Sequence, residues 1–484
     1  MIAEYGDWDA TEMAAQVAKG NVCAAELLDE ALARTARHNP EINAVVLLQE
    51  ETARRAIAAG LPDGPFKGVP FLLKDLGCEA VDFPSHNGSR LLANTRYARD
   101  SAIFERIRAT GVVTFGRTTS PEGGIGPATE AAVYGGPTRN PWNLDRTPGG
   151  SSGGAGAAVA AGIVPAAHGS DGGGSVRIPA SSCGLVGFKP TRARLPDGPY
   201  AGEGWAGLAI DGFLTRSVRD TAALLDASAG ADSGAPYWAP PLADGYRAAM
   251  TRPPRRLKIA LCETTLTGEA IHPDCRAAVL GAAALLEGLG HHVEPARPDA
   301  DTKGMMRAWT RIVGCGTALS VQKALAVRGK TLQPDDVDDV TRSAIGYAAT
   351  LSGADYLDSV GKIHAYGREM AGFFDEGWNV LLTATLAEPP AGIGRFSHRG
   401  KDYLDYRMGA GMVFEYSPFC AAFNASGQPA VSLPLHWNAG NLPIGIHLAA
   451  PFGADEELVA LSAEIEAAQP WIDRRPPLSK GTAA

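Results

Sequence analysis

The sequence predicts an α/β fold in which helices cover a central mixed β-sheet. Short apolar runs alternate with helix-length segments from residue 68 onward, which is the pattern of α/β layers. Strand-like runs return near the C-terminal end, so both halves of the chain are expected to supply one sheet. No internal repeat is visible, and 484 residues are enough for one large core. We therefore predict a single domain over residues 1–484.

Two helices are predicted before the first strand. The first starts at a cap, Asp9 or Thr11, and runs to about Lys19, while the second spans 24–37 and stops ahead of Pro40. Strands follow in GVPFLLKD (68–75) and at 112–115, with a helix over 101–110 between them. The first part of the chain therefore leads from helices into α/β layering.

The segment 140–190 contains 12 glycines in 51 residues, yet it includes a helix of small residues, AGAAVAAG (155–162). Beyond it, about 220–375 is predicted as a mostly helical, substrate-shaping region, with one strand in LKIALC (257–262) and a helix over 272–289. The C-terminal elements are three strands and a final helix, at 379–385, 429–435, 443–450 and 455–468. This order predicts that the C-terminal strands complete the sheet begun near residue 68.

Composition excludes several classes of function. The formal charge is −9 and no long Lys/Arg run occurs, so nucleic acid is not an expected partner. Seven cysteines are scattered without a CxxC pair, which argues against a disulfide framework or a zinc site. The N-terminal text lacks the basic-then-apolar order of a signal peptide, and no stretch of about 18 apolar residues appears later. We expect a cytoplasmic protein without a membrane partner.

Two glycine-dense loops, each with a serine, are the strongest candidates for chemistry: TPGGSSGG (147–154) and GSDGGGSVRIPA (169–180). Acyl transfer to serine needs an exposed hydroxyl, a base and donors aimed at the oxyanion. Glycines let bare backbone N–H groups approach a carbonyl, and the amides of Gly172, Gly173, Gly174 and Ser175 meet that need. Tight turns or phosphate-binding loops are the alternative for either segment alone.

Lys74 is the candidate base, because no histidine has a suggestive set of neighbours. It follows the apolar text FLL, as expected for a lysine drawn into the interior. Desolvation lowers the pKa of a lysine, and a neutral lysine can accept a proton. The alternative is an ordinary lysine at a strand end, paired with Asp75.

Three other motif matches lack the context that their chemistry needs. GGSSG fits the GxSxG elbow at Ser151, but NPWNLDRTP before it is no strand. SVQK (320–323) fits SxxK without an accompanying SDN or KTG motif. GEGWAG (202–207) fits GxGxxG but follows a proline-rich loop, so a dinucleotide site is not predicted.

Together, the lysine after an apolar strand and the two serine loops resemble the amidase signature family. The serines at 151 and 175 have the family's 24-residue separation, and CGLVGFKPT (183–191) matches the text that follows. The resemblance is densest over about 68–191, the expected signature core, and extends through NPWNL (140–144) and FNASGQPAVSLP (423–434). It implies the amidase signature fold, with no metal or organic cofactor.

The resemblance also implies a role for each motif residue. Lys74 would be the base, Ser151 a relay preceded by a cis peptide bond, and Ser175 the nucleophile. Gly172, Gly173 and Gly174 would form the oxyanion hole, and Asp171 and Arg177 would support that loop as a charge pair. Many family members carry a larger residue where this chain has Gly172, a departure that we interpret as added flexibility.

Within the family, NPWNL, GSVRIPAS and FNASGQPA are most similar to the 6-aminohexanoate cyclic dimer hydrolase type, whose relatives include aryl acylamidases and urethanases. That type binds substrate through an asparagine and a cysteine. Here Ile125 stands at about the asparagine position, with Gly124 beside it as a further substrate-binding candidate, whereas Cys315 keeps the cysteine. The change predicts a more apolar pocket and disfavours the cyclic dimer itself. Trp205 and Tyr134 are further candidates for the pocket, although each could equally be core.

We therefore predict a serine-dependent hydrolase of linear or aryl amides, nylon-oligomer-like amides or carbamates, acting through an acyl-enzyme. The expected partner is a small-molecule substrate, with a homodimer as the assembly to consider. The alternatives are an ester-preferring hydrolase, a non-catalytic binding protein and an amidotransferase subunit that supplies ammonia. The last typically carries GSIRQP, where this chain has Ile178 in place of the glutamine.

Overall fold

A computed structural model describes residues 2–252 and 255–480 and shows one mixed sheet of 11 strands. The strands are β1 (Val45–Val46), β2 (Pro70–Lys74), β3 (Val113–Thr118), β4 (Ala166–Asp171), β5 (Val186–Lys189), β6 (Ile210–Thr215), β7 (Lys258–Leu261), β8 (His292–Pro295), β9 (Val380–Ala384), β10 (Ala430–Trp437) and β11 (Pro443–Ala449). Their order across the sheet is β1-β3-β2-β4-β6-β5-β10-β11-β9-β7-β8. The predicted fold class is confirmed, since strands from both halves of the chain share this sheet.

Strand directions divide the sheet into parallel and antiparallel parts. β2 is parallel to both of its neighbours, β3 and β4, while β4, β6, β5, β10, β11 and β9 pair in antiparallel fashion. At the far edge, β7 is parallel to β9 and β8. Because β2 and β4 run side by side in the same direction, their carboxyl ends meet at one edge of the sheet.

The helices are α1 (Ala10–Ala18), α2 (Ala24–Ile42), α3 (Glu50–Ala59), α4 (Ala102–Ala109), α5 (Gly153–Ala160), α6 (Arg177–Cys183), α7 (Val218–Ser228), α8 (Tyr246–Met250), α9 (Pro273–Gly288), α10 (Thr302–Arg328), α11 (Asp339–Ala348), α12 (Gly353–Asp375), α13 (Tyr403–Met408), α14 (Val413–Tyr416), α15 (Cys420–Ser426) and α16 (Asp455–Ala468). Short 3₁₀ turns lie at Ala3–Gly6, Glu122–Gly124, Ala132–Tyr134 and Pro477–Lys480. Among the described residues, none of these helices is both long enough and apolar enough to cross a membrane.

Helix α5 is buried on every side, which is why it consists almost entirely of glycine and alanine. It packs against α6 and against the strands β2, β3, β4 and β6. A Cβ atom at Gly153 would overlap Thr129, and one at Gly154 would overlap Thr119. At Gly156 a Cβ would lie 3.1 Å from Pro179 on α6. The small residues therefore let α5 lie directly against the sheet and α6.

Several predicted boundaries were wrong. Helix α2 continues through Pro40 to Ile42, because a proline in the last turn removes only one hydrogen bond. The turn is completed by Asn39, whose Oδ1 accepts from the N–H groups of Ala44 and Val45. Strand β4 lies in the glycine-rich segment 140–190, where only a helix was predicted. Strand β8 was not predicted within the 220–375 region, although the strand in LKIALC was.

Candidate active site

Three chain segments converge at the edge where β2 and β4 end. Lys74 is the last residue of β2, and Asp171 is the last residue of β4, directly before the glycine loop 172–174 and Ser175. Ser151 lies two residues ahead of α5, which packs against both strands. The predicted lysine and both predicted serines are thereby gathered at one place.

Lys74 is fully buried, and its Nζ atom lies 2.7 Å from Ser151 Oγ and 2.9 Å from Ser170 Oγ. Burial lowers the pKa of Lys74 from 10.5 to about 7, and the negative charges of Asp211 and Asp171 oppose this only in part. The lysine is therefore substantially neutral near neutral pH, as a proton acceptor must be.

The pairing of Lys74 with Asp75, the alternative left open by the sequence, does not occur. Asp75 instead accepts hydrogen bonds from the backbone N–H of His86 at 2.9 Å and from the Tyr134 hydroxyl at 2.6 Å. His168 Nδ1 accepts from the backbone N–H of Lys74 at 3.3 Å, and its Nε2 faces Asp211 Oδ1 at 3.1 Å. His168 thus supports the strand beside Lys74, in keeping with the expectation that no histidine is the base.

Ser151 and Ser175 line one cavity of about 620 Å³. The Gly150–Ser151 peptide bond is cis, as the resemblance implied. The next residue, Ser152, donates its backbone N–H to the carbonyl oxygen of Ser175 at 3.2 Å and so ties the two serine loops together. Ser151 is buried, with 2 % of its surface exposed, whereas Ser175 is only partly buried.

The glycine loop offers fewer free amides than the sequence suggested. The N–H of Gly174 donates to Asp171 Oδ1 at 2.7 Å, so this amide is already engaged and the prediction that it serves the oxyanion is corrected. In the described part of the chain, no hydrogen bond uses the N–H of Gly172, Gly173 or Ser175. These three amides are the ones left for a ligand oxygen.

Trp309, on α10, fixes the orientation of this loop. Its indole Nε1 donates to the carbonyl oxygen of Gly172 at 2.9 Å, and its ring lies where a side chain on Gly173 would have to be. Because a trans peptide is planar, holding the Gly172 carbonyl on one side turns the Gly173 N–H to the other. Nothing in the sequence text around Trp309 indicated this contact.

The predicted charge pair of Asp171 and Arg177 is present and completely buried. Arg177 donates to both carboxylate oxygens of Asp171, from Nε at 3.0 Å and from Nη2 at 2.9 Å. Asn424 Nδ2 adds a donor at 2.9 Å. Burial opposes ionisation of Asp171, but Arg177 and Asn424 outweigh it and lower the pKa of this carboxyl well below its ordinary value. Asn424 lies in the FNASGQPA motif, and this motif is the sequence feature that could have indicated its place at the site.

The glycine at position 172 serves close packing, which corrects the interpretation of added flexibility. A Cβ atom there would lie 2.7 Å from Trp205 Cζ3. Trp205 is half-buried and lines the cavity that Ser151 and Ser175 share, as does Gly204 from the same GEGWAG text. The motif set aside as a nucleotide signal is thus a wall of the site.

Other predicted pocket residues are divided between the cavity and its surroundings. Gly124 lines the cavity, and a Cβ on it would lie 3.4 Å from Ser151 Oγ. Ile125 points elsewhere and packs with Ala344 and Tyr403, at a separate cavity of about 350 Å³, so its prediction as a residue of the catalytic pocket is wrong. Cys315 on α10 is half-buried and is not part of the cavity lining. Tyr134 is engaged with Asp75 instead.

The cavity is also lined by acidic and aromatic side chains. The acidic members include Glu79, Asp197 and Asp211, and burial followed by the charge of Asp211 raises the pKa of Asp197 to about 8. Tyr97 and Tyr200 also line it, with their rings edge to face at 5.7 Å. Ser320 and Lys323 of the SVQK text stand on the rim, on α10.

Comparison with known proteins shows the family to which this chain belongs. The Amidase family model matches residues 26–459. A 6-aminohexanoate-cyclic-dimer hydrolase of Paenarthrobacter ureafaciens is 37% identical over 478 residues, covering 97% of this chain and 96% of that protein. The structure of a 6-aminohexanoate cyclic dimer hydrolase complexed with substrate superposes with a TM-score of 0.93 at 37% identity, covering 98% and 99% of the two chains. A bacterial aryl acylamidase of the amidase signature family gives 0.87 at 29% identity, covering 99% of each chain.

Proposed function

This chain belongs to the amidase family of C–N hydrolases, and from that premise we propose that Ser175 is its nucleophile, Ser151 its relay and Lys74 its base. One observation carries the proposal: a buried lysine, with its pKa lowered to about 7, lies 2.7 Å from Ser151 Oγ beside the cavity that Ser175 lines. Such an arrangement can remove a serine proton near neutral pH.

The first step is proton transfer and attack. Neutral Lys74 accepts the hydroxyl proton of Ser151 while Ser151 accepts that of Ser175, and Ser175 Oγ bonds to the substrate carbonyl carbon. The carbonyl oxygen becomes an oxyanion, which the free N–H groups of Gly172, Gly173 and Ser175 stabilise.

The second step releases the amine. The lysine returns its proton through Ser151 to the leaving nitrogen, the C–N bond breaks, and the acyl group stays on Ser175. Water then attacks the acyl-enzyme by the same relay and releases the acid. A carbamate would leave a carbamoyl or carbonate ester on Ser175 instead.

The proposed substrates are linear and aryl amides, with carbamates as a further class. The relatives compared above are named for a cyclic amide dimer and for aryl acylamides. Trp205, Tyr97 and Tyr200 give this cavity aromatic walls, which favour aryl groups. Because Ile125 does not reach the cavity, position 125 supplies no side chain to contact a substrate there, which further disfavours the cyclic dimer as the substrate. We propose a small molecule as the partner.

Amine release from a panel of substrates tests the proposal. The panel contains p-nitroacetanilide, hexanamide, an aryl carbamate and glutamine, assayed with the wild type, Ser175→Ala and a control, Ser233→Ala, at an exposed serine outside the cavity. We expect the control to match the wild type and Ser175→Ala to lose all turnover, with a mass adduct on Ser175 in the wild type. Turnover that persists in Ser175→Ala would exclude this nucleophile. Ammonia release from glutamine alone would favour the amidotransferase alternative.

A further inference from the structure

The indole of Trp205 occupies a slot between the glycine loop and α10. On one side, a Cβ at Gly172 would lie 2.7 Å from its Cζ3 and 2.9 Å from its Cε3. On the other side, a Cβ at Gly316 would lie 2.7 Å from its Cδ1 and 3.1 Å from its Nε1. Real Cβ contacts are not this short, so both positions must be glycine for the indole to lie where it does.

A tight turn holds the tryptophan in this slot. Trp205 and the next residue, Ala206, both have left-handed backbone angles, with φ of 50° and 55°, which non-glycine residues adopt only when surrounding contacts require it. The turn is closed by a hydrogen bond from the N–H of Ala209 to the carbonyl of Gly204 at 3.1 Å. Trp309 packs edge to face on the indole at 6.0 Å. The ring is therefore a fixed surface.

One part of this ring remains open to the catalytic cavity. Trp205 is half-buried and lines the cavity with Ser151 and Ser175. Its six-membered ring touches Gly172, whose neighbouring amides bind the oxyanion in the proposed mechanism. A substrate carbonyl held by those amides brings its own substituents against the indole.

From this geometry we propose that Trp205 determines specificity by forming a flat wall beside the reacting carbonyl. The wall admits a planar substituent, such as an aryl group. It excludes a puckered ring with the same number of carbon atoms, such as a cyclohexyl group. A flat ring can stack on the indole at van der Waals distance, whereas a puckered ring needs space that the indole occupies. The inference rests on the proposed function, since the wall borders the carbonyl only if Ser175 is the nucleophile.

Matched pairs of substrates test this wall on both sides of the scissile bond. The acyl pair is benzoyl and cyclohexanecarbonyl p-nitroanilide, and the amine pair is acetanilide and N-cyclohexylacetamide. For each pair the measured quantity is the ratio of kcat/KM values, planar over puckered. Comparing that ratio between variants cancels the intrinsic reactivity of the substrates.

Trp205→Ala should lower the ratio by about tenfold or more for at least one pair, in line with the selectivity that pocket shape provides, and Trp205→Phe should retain most of it. Trp238→Ala, at a tryptophan that is 67% exposed and outside the cavity, is the matched control and should leave both ratios unchanged. Unchanged ratios in Trp205→Ala, with p-nitroacetanilide still hydrolysed, would overturn the inference.

Gly316→Ala provides a second variant that keeps the tryptophan but displaces it. Alanine suits a helix better than glycine, so the variant should fold, while its methyl group pushes on the indole. Its control is Gly281→Ala on α9, where a Cβ meets nothing within 4 Å. We expect altered ratios in Gly316→Ala only; identical ratios in both glycine variants would contradict the wall. Activity surviving in Ser175→Ala would instead refute the proposed function.

Discussion

Replacing Lys74 by methionine should abolish hydrolysis and at the same time raise the free energy of unfolding. The pKa of this lysine falls from 10.5 to about 7 on burial. At about 1.4 kcal/mol for each pKa unit, keeping it neutral at pH 7 costs folding about 5 kcal/mol. Methionine removes that cost but leaves Ser151 and Ser170 without their partner, at about 1–2 kcal/mol each. A net stabilisation of about 1–3 kcal/mol remains.

The sign of the pH dependence provides a second check. Between pH 7 and 10.5 the unfolded chain holds a proton on Lys74 that the folded chain has released, so this group makes the wild type more stable as pH rises. The advantage of Lys74→Met should therefore shrink as pH rises from 7. By pH 10 the desolvation cost falls below about 1 kcal/mol, so the two unpaired serines should leave the variant less stable than the wild type. Other buried groups are the same in both proteins and cancel in the difference.

Urea unfolding at pH 7 and pH 9, together with p-nitroacetanilide turnover, measures both effects. Lys74→Arg is the control, because a guanidinium stays charged and should destabilise the fold while also abolishing turnover. If the methionine variant is less stable than the wild type at pH 7, Lys74 is not held neutral. The same conclusion follows if the difference in unfolding free energy between variant and wild type is equal at pH 7 and pH 9. Retained turnover would show that it is not the base.

The site supports further predictions. In the wild type, kcat/KM should fall about tenfold from its plateau by pH 6, as protonation of Lys74 removes the base; a flat profile would contradict this. Ser151→Ala should lower kcat by about 10²–10⁴-fold, whereas Ser170→Ala, the other hydroxyl on the lysine, should have a much smaller effect in the same assay. Trp309→Phe should keep the packing but lower kcat by about 10- to 100-fold with little change in KM. Arg177→Met should cost about 3–5 kcal/mol in urea unfolding, because a buried carboxylate loses its partner.

Local text was sufficient to predict which residues meet at the candidate site. An apolar strand ending in lysine predicts burial, and Lys74 is buried for that reason. Two glycine-dense serine loops predict donors and nucleophiles close to one sheet edge, because short strands and tight turns leave few other arrangements. The pairing of Asp171 with Arg177 could also be predicted, because the two residues are only six positions apart, on one loop and the helix that follows it.

What the sequence did not reveal are contacts between segments far apart in the chain. The engagement of the Gly174 amide depends on how the loop folds back onto Asp171. The roles of Trp205 and Trp309 depend on α10 crossing the glycine loop, a placement that no local pattern encodes. Ile125 follows two glycines with left-handed angles, and these angles turn its side chain away from the cavity.

The close packing of α5 against the sheet and α6, which only small residues permit, has a consequence for engineering this enzyme. Because Gly153 and Gly154 leave no room for a Cβ atom and Gly156 leaves little, this part of the glycine-rich text reflects a packing constraint and not chemistry. A mutagenesis library directed at that conspicuous text would mostly yield unfolded protein. Diversity is better placed on the cavity rim of α10, at Ser320 and Lys323, where exposed side chains can change without disturbing the sheet.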